Sequence, residues 1–174
     1  ISLAVKSCNG VILLPGETFS YNDTLGERTA DKGYQPAGAY SDGEVVEQLG
    51  GGICQVSSTL FAAVLHTDLE IVTRANHSMP VSYLPMGMDA TVSWGGPEFK
   101  FKNNFSYPIK ISASYSGGTI NFKILGAASD KKKIEVEVKK TGEMSAETYR
   151  KYYDENGNVT STKRVARSNY KPHS

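Results

Sequence analysis

The sequence has little of what usually betrays a protein's chemistry. Its 174 residues include two cysteines, three histidines and one tryptophan. Two cysteines far apart make no disulfide framework, and with one usable histidine they fall short of a zinc set, so no metal is expected. No apolar run approaches the roughly 20 residues that a membrane-spanning helix needs, and no secretory leader is recognisable. Nineteen basic residues stand against eighteen acidic ones. That balance gives no electrostatic footprint for nucleic acid. A phosphate loop of the Gly-x-x-x-x-Gly-Lys-Ser kind is absent, and no cofactor is expected.

What the chain does have is enough apolar content, 39%, for a real core. Ten tyrosines and seventeen glycines lean toward β structure with many turns. Ile1-Ser2-Leu3-Ala4-Val5-Lys6 opens inside an apolar pattern without a Met, and is read as a segment cut from a longer chain. Ile1 to Ser7 predicts the tail of an amphipathic helix ended by Asn9-Gly10. Val11 to Leu14 and Thr18 to Asn22 predict short strands, and Asp31 to Asp42 a loop. Apolar residues at Val56, Leu60, Ala63 and Val64 have helical spacing, so a helix should run from Cys54 to about Thr67-Asp68. Strands are expected over Leu69–Thr73, Ser78–Leu84, Asp89–Trp94 and Phe99–Asn103. Ile109–Tyr115 and Thr119–Leu125 should pair across Gly117-Gly118. After Gly126 the composition shifts. Ile134–Val138 reads as a half-exposed strand, Tyr149–Tyr153 and Val159–Val165 as a hairpin, and Ser168–Ser174 as a frayed tail.

The most informative stretch is Gly50-Gly51-Gly52-Ile53-Cys54-Gln55-Val56-Ser57-Ser58-Thr59-Leu60. Three glycines deliver a cysteine to the first turn of a helix, where unpaired N–H groups and the helix dipole favour the thiolate. The bland alternative is a buried, inert thiol behind an ordinary turn. Cys8 is expected to pack in the core, although two cysteines permit one disulfide.

A nucleophilic cysteine needs a base. His66 lies twelve residues along the same helix, about 18 Å away at 1.5 Å per residue, and cannot serve. His173 is in the tail. By elimination His77 is the plausible imidazole partner, and Asp89, across the Pro85–Gly87 turn, is the natural acid to fix its tautomer. Backbone N–H groups of Cys54 and Gln55, at the turn that Gly52 ends, are candidate oxyanion donors. Ser57, Ser58 and Asn76 either position substrate or cap and pack.

Taken together, Pro15-Gly16-Glu17-Thr18-Phe19-Ser20-Tyr21-Asn22, the Gly50–Leu60 run, Asn76-His77-Ser78, Pro85-x-Gly87-x-Asp89-Ala90-Thr91 and Phe101-Lys102-Asn103-Asn104 resemble the VanW family over about residues 1–125. The family commonly has Asp where this chain has Glu98. The resemblance implies a bacterial, extracytoplasmic domain at the cell wall, held to the membrane only through an N-terminal anchor outside these residues. It also implies that Cys54 is the nucleophile of an L,D-transpeptidase. Cys54 would attack the carbonyl after the diamino acid of a peptidoglycan stem peptide, release D-alanine and pass the acyl group to a neighbouring amine, giving a 3-3 crosslink. An L,D-carboxypeptidase with the same residues, and a non-catalytic wall-binding or scaffold module, are the alternatives.

The fold class expected is α+β. A central helix starting at the Gly-rich turn packs on an antiparallel sheet in residues 1–126, and residues 127–174 form a β-rich extension of the same domain. Cysteine at a helix start, with His and Asp on following strands, is also similar to papain-like and transglutaminase-like enzymes.

Overall fold

A computed structural model describes residues 1–34, 36–41, 44–49 and 52–172. Gly50 and Gly51, on which the expected glycine turn falls, lie outside the described residues, as does the tail's His173-Ser174. The architecture is α+β, with short helices and several antiparallel sheets. Helix α1 (Ser2–Cys8) leads into β1 (Ile12–Leu13) and β2 (Thr18–Ser20). Ser20 then caps a short helix, α2 (Tyr21–Leu25), by accepting from the Asp23 N–H at 3.1 Å. The strand expected to run on to Asn22 is therefore cut at Ser20 by an N-cap. The stretch expected as a loop contains β3 (Pro36–Ser41), paired antiparallel with β4 (Glu44–Leu49); its glycines marked turns to the sequence reading, yet Gly38 pairs with Glu47 in the ladder.

Helix α3 (Ile53–Leu65) is the centre of the core. Val56, Leu60, Phe61, Val64 and Leu65 are fully buried on it, the face that the spacing predicts. It lies against β8 (Thr119–Leu125), which pairs with β7 (Ile109–Ser116), which in turn pairs with β1. A second sheet joins β2, β6 (Lys100–Lys102) and β5 (Glu70–Thr73). It contributes Phe19 and Phe101, whose rings lie 5.1 Å apart, and Phe99 meets Phe61 edge-on at 5.5 Å. Residues 74 to 98, where two strands were expected, form irregular backbone. Pro80, Pro85 and Pro97 cannot donate to a ladder, and Gly87 and Gly95 hold positive φ.

The third sheet is the C-terminal extension: β9 (Lys133–Gly142), β10 (Ser145–Tyr153) and β11 (Val159–Asn169). It grips α3 at its C-terminal end. The buried Arg150 guanidinium donates to three backbone carbonyls there, from Nη2 to Val64 at 2.9 Å, from Nε to Leu65 at 2.9 Å and from Nη1 to Leu69 at 2.8 Å. A cation on the carbonyls at a helix end complements the helix dipole and adds a charged donor to each, the Val64 carbonyl also accepting from the Thr67 N–H and hydroxyl. Among the described residues, no helix is long and apolar enough to cross a membrane. Arg150→Ala should lower the free energy of unfolding in urea by on the order of 3 kcal/mol, because three carbonyls lose a buried charged donor. Arg150→Lys should recover little of it, since one ammonium does not span three carbonyls.

Candidate functional site

Three segments meet at the start of α3. Cys54 is the second residue of the helix. Gly52 precedes the helix as the N-cap, and a Cβ there would come within 2.6 Å of the Ile1 side chain, which would have to shift. The segment 89–92 docks on the same turn. Ser58 Oγ accepts from the Ala90 N–H at 2.9 Å and donates to the Ala90 carbonyl at 3.1 Å, and Ser57 Oγ donates to that carbonyl at 2.6 Å. Both serines are fully buried. Of the two roles expected for them, capping and packing fits their bonds, which clamp Ala90 to the helix. The segment 74–77 is tied in turn to 89–92 by the Thr91 N–H donating to the Ala75 carbonyl at 2.8 Å.

This arrangement sets out Cys54, His77 and Asp89. Cys54 is half-buried and free, and Cys8 is free and fully buried. The Cys54 sulfur lies 3.3 Å from the Val92 carbonyl, 3.5 Å from the Val92 N–H and 3.6 Å from Thr91 Oγ1. His77 Nδ1 lies 2.7 Å from Asp89 Oδ2, which also accepts the His77 backbone N–H at 2.7 Å. An ionised carboxylate only accepts, so Nδ1 carries a proton and Nε2 is the nitrogen left for proton exchange. Asp89 itself is almost fully buried. Its Oδ1 accepts from the Tyr170 hydroxyl at 2.5 Å, with Arg74 Nη2 at 3.5 Å, and Arg74 Nε donates to the Asp89 carbonyl at 2.8 Å.

The electrostatics follow from these contacts. Burial works against ionising Asp89, but the His77 ring and N–H, the Tyr170 hydroxyl and Arg74 outweigh it and hold the carboxyl below its ordinary value. Burial would likewise lower the His77 pKa, yet the bond to Asp89 and the interaction with Cys54 raise it to about 9. Burial pushes the Cys54 thiol up, and His77 first, then Val92 and Thr91, bring it below its ordinary value. Cys8 has only the first effect and is pushed up to about 12. The pair is thus biased toward thiolate and imidazolium, the state that a cysteine nucleophile needs.

The other expected residues sit as follows. The Gln55 N–H donates to the Gly52 carbonyl at 3.2 Å, so one of the two expected oxyanion donors is engaged inside the first helical turn. Asn76 Nδ2 donates to the His77 and Asn169 carbonyls, each at 2.7 Å, and ties the site to the C-terminal strand. Glu98, the departure from the family pattern, is structural: it accepts from Ser20 Oγ and from the Asn22 and Phe99 N–H groups. His66 sits at the far end of α3. Sequence reasoning missed Tyr170; Arg74, which the sequence offers as a carboxylate partner or a solvated cation, sits on the Asp89 carboxylate. Tyr170 fell in a stretch expected to fray, but its N–H donates to the Met144 carbonyl at 2.7 Å and it is buried. Among the described residues, no group of three or more His, Cys, Asp or Glu is placed to hold a metal ion.

Iodoacetamide should therefore alkylate Cys54 well below about pH 8.5, where an unperturbed thiol ionises, and should leave Cys8 unmodified until the protein unfolds. In His77→Ala the rising limb of the Cys54 profile should move above that of an ordinary thiol, because burial is then less opposed. Peptide mapping after alkylation across pH reads both. A wild-type limb at or above that of a free thiol would contradict a Cys54 thiolate favoured by His77.

Comparison with known proteins places the chain in a family. Residues 1–125 match the family model described as VanW like protein. The chain is 51% identical over 120 residues to the uncharacterized protein YoaR of Bacillus subtilis (strain 168), covering 69% of this chain and 40% of that protein. It is 36% identical over 109 residues to the vancomycin B-type resistance protein VanW of Enterococcus faecalis (strain ATCC 700802 / V583), covering 60% of this chain and 40% of that protein. The chain thus spans less than half the length of the curated relatives it matches. No solved structure matches it. With Cys54, His77 and Asp89 all inside a family match that covers most of its length, the chain belongs to the VanW family.

Proposed function

We propose that the protein is a cysteine L,D-transpeptidase acting on peptidoglycan stem peptides outside the cytoplasm. The observation that carries the reading is the His77 ring hydrogen-bonded to the buried Asp89 carboxylate, together with a half-buried Cys54 at a helix start whose thiol His77 brings below its ordinary value. A scaffold module has no need of a thiol held below its ordinary pKa beside an imidazolium, and buried structural cysteines resemble Cys8 instead. The cell-wall setting is supported by the family and by the vancomycin-resistance relative.

In this reading the Cys54 thiolate attacks the carbonyl carbon that follows the diamino acid of a tetrapeptide stem. The C–S bond forms and the carbonyl π pair moves to oxygen. His77 then gives its Nε2 proton to the departing nitrogen, the C–N bond breaks, and D-alanine leaves with a thioester on Cys54. An amine of a second stem attacks that thioester while neutral His77 takes its proton. Collapse expels the thiolate and restores the ion pair, and the product is a 3-3 crosslink. No cofactor or metal takes part. Asp89 holds the ring in the tautomer that presents Nε2 and stabilises the imidazolium between the two half-reactions.

Intact-mass and product analysis of wild-type and Cys54→Ala protein with purified disaccharide-tetrapeptide tests the proposal. The expected result is a thioester adduct and crosslinked dimer with released D-alanine, all lost in Cys54→Ala. Disaccharide-tripeptide alone, dependent on Cys54, would make the protein an L,D-carboxypeptidase with water as acceptor. No product from folded protein whose Cys54 alkylates normally would overturn the enzymatic reading in favour of a wall-binding module.

A further inference from the structure

We propose that Tyr170 is a positioning residue of the cysteine centre: its hydroxyl holds the buried Asp89 carboxylate ionised and turned toward His77, so that the pH at which Cys54 becomes a nucleophile depends on the C-terminal sheet. The inference rests on the Cys54–His77–Asp89 reading, but not on the identity of the acyl acceptor. Tyr170 lies outside the span that matches the family model, residues 1–125, and nothing in that match assigns it a part.

The placement of Tyr170 is strongly determined. It follows the last residue of β11. Its own N–H donates to the Met144 carbonyl at 2.7 Å, and the next N–H, of Lys171, donates to the Ser78 carbonyl at 2.6 Å, one residue beyond His77. Asn76 and Arg74 add bonds to the Asn169 carbonyl and to Ser168 Oγ. The tail is thus laid along the His77 segment and cannot fray without uncovering it. The phenol oxygen accepts from the Gly87 N–H at 2.8 Å, which directs its single proton to Asp89 Oδ1 at 2.5 Å. Gly87 is itself fixed by the same sheet, since Thr148 Oγ1 donates to its carbonyl at 2.7 Å, and a Cβ at Gly87 would come within 2.6 Å of that hydroxyl.

The division of labour on the carboxylate gives Tyr170 its effect. Oδ2 is occupied by both His77 N–H groups. Oδ1 has the Tyr170 hydroxyl and, at 3.5 Å, Arg74 Nη2. At 1% exposure, water is not at hand to replace a lost donor, and a buried charge stripped of a hydrogen bond is costly. Without the hydroxyl the carboxylate is less stable as an anion and supports the imidazolium less. The thiolate, which depends on the imidazolium, then needs a higher pH to form. Among the described residues the other ionisable groups around the pair are Arg74, Arg28, Tyr21 and Tyr83, and replacing Tyr170 leaves all of them in place.

The test is the alkylation profile of Cys54 with iodoacetamide from about pH 5 to about pH 10, on the full chain, for wild type, Tyr170→Phe and Arg150→Lys. Phe keeps the buried ring and removes only the hydroxyl. Arg150→Lys weakens the docking of the same sheet on the far end of α3 and leaves the Tyr170 and Asp89 contacts in place. In Tyr170→Phe the rate at neutral pH should fall roughly tenfold and the rising limb should move to higher pH, whereas Arg150→Lys should lower Tm and leave the limb where it was. An unmoved limb in folded Tyr170→Phe overturns the proposal, as does an equal shift in Arg150→Lys, which would make sheet docking rather than the phenol the cause. Crosslinking is scored in parallel. A moved limb without crosslinking by wild type supports Tyr170 while removing the transpeptidase reading, and crosslinking with an unmoved limb does the reverse.

Discussion

Everything at this site depends on one buried negative charge. Asp89 is nearly inaccessible to water, and a carboxylate in that position is stable only if its oxygens are fully used. Three hydrogen bonds and a guanidinium use them. Two of those bonds come from His77, one from its backbone and one from its ring, so the requirement that the charge be satisfied also fixes the ring's position, its rotamer and its tautomer. Stabilising Asp89 and preparing His77 are the same event. The imidazolium that results is what allows a half-buried Cys54 to ionise despite its own burial.

The second constraint is mechanical. Cys54 is on a helix, His77 and Asp89 are on irregular chain interrupted by prolines, and nothing in local backbone preference brings them together. Ser57 and Ser58 do so by clamping Ala90, the residue after the acid, to the turn after Cys54. The C-terminal sheet holds the same assembly from outside. Arg150 caps the far end of α3, Thr148 holds Gly87, and Tyr170 reaches the carboxylate. A segment that composition marks as an appendage is therefore bonded both to the C-terminal end of α3 and to the segment that carries Asp89. The cost of ordering that irregular chain is met by hydrogen bonds whose partners are far apart in sequence.

How much of this could be read from the residues varies with the physics involved. Helix α3 and its buried face were legible because apolar spacing reports a helix directly. The hairpin across Gly117-Gly118 and the strands of the third sheet were legible because alternation and turn residues are local signals. Cys54 was legible from the glycine run ahead of a helix, His77 by elimination among three histidines, and Asp89 from its place across the Pro85–Gly87 turn. The strands expected at Ser78–Leu84 and Asp89–Trp94 were not found, because prolines deny the ladder its donors and side chains take over the backbone bonds. Ser57 and Ser58 showed only polarity in sequence; their role as a clamp exists only once Ala90 is in place. Tyr170 was hidden most deeply. A lone tyrosine in a polar tail carries no periodicity, and its meaning comes from a carboxylate 81 residues away.

The account stands on the protonation state of one ring. Selective isotope labelling and an NMR titration of the His77 imidazole would measure it directly, with Cys54→Ser protein alongside to separate the thiolate's share. The structure predicts that His77 in wild type keeps both ring protons through neutrality and loses one at about pH 9. A ring that titrates near its ordinary value of 6.5, or one already neutral there, would mean that Asp89 and Cys54 do not hold an imidazolium, and the cysteine would lose the partner on which its proposed chemistry rests.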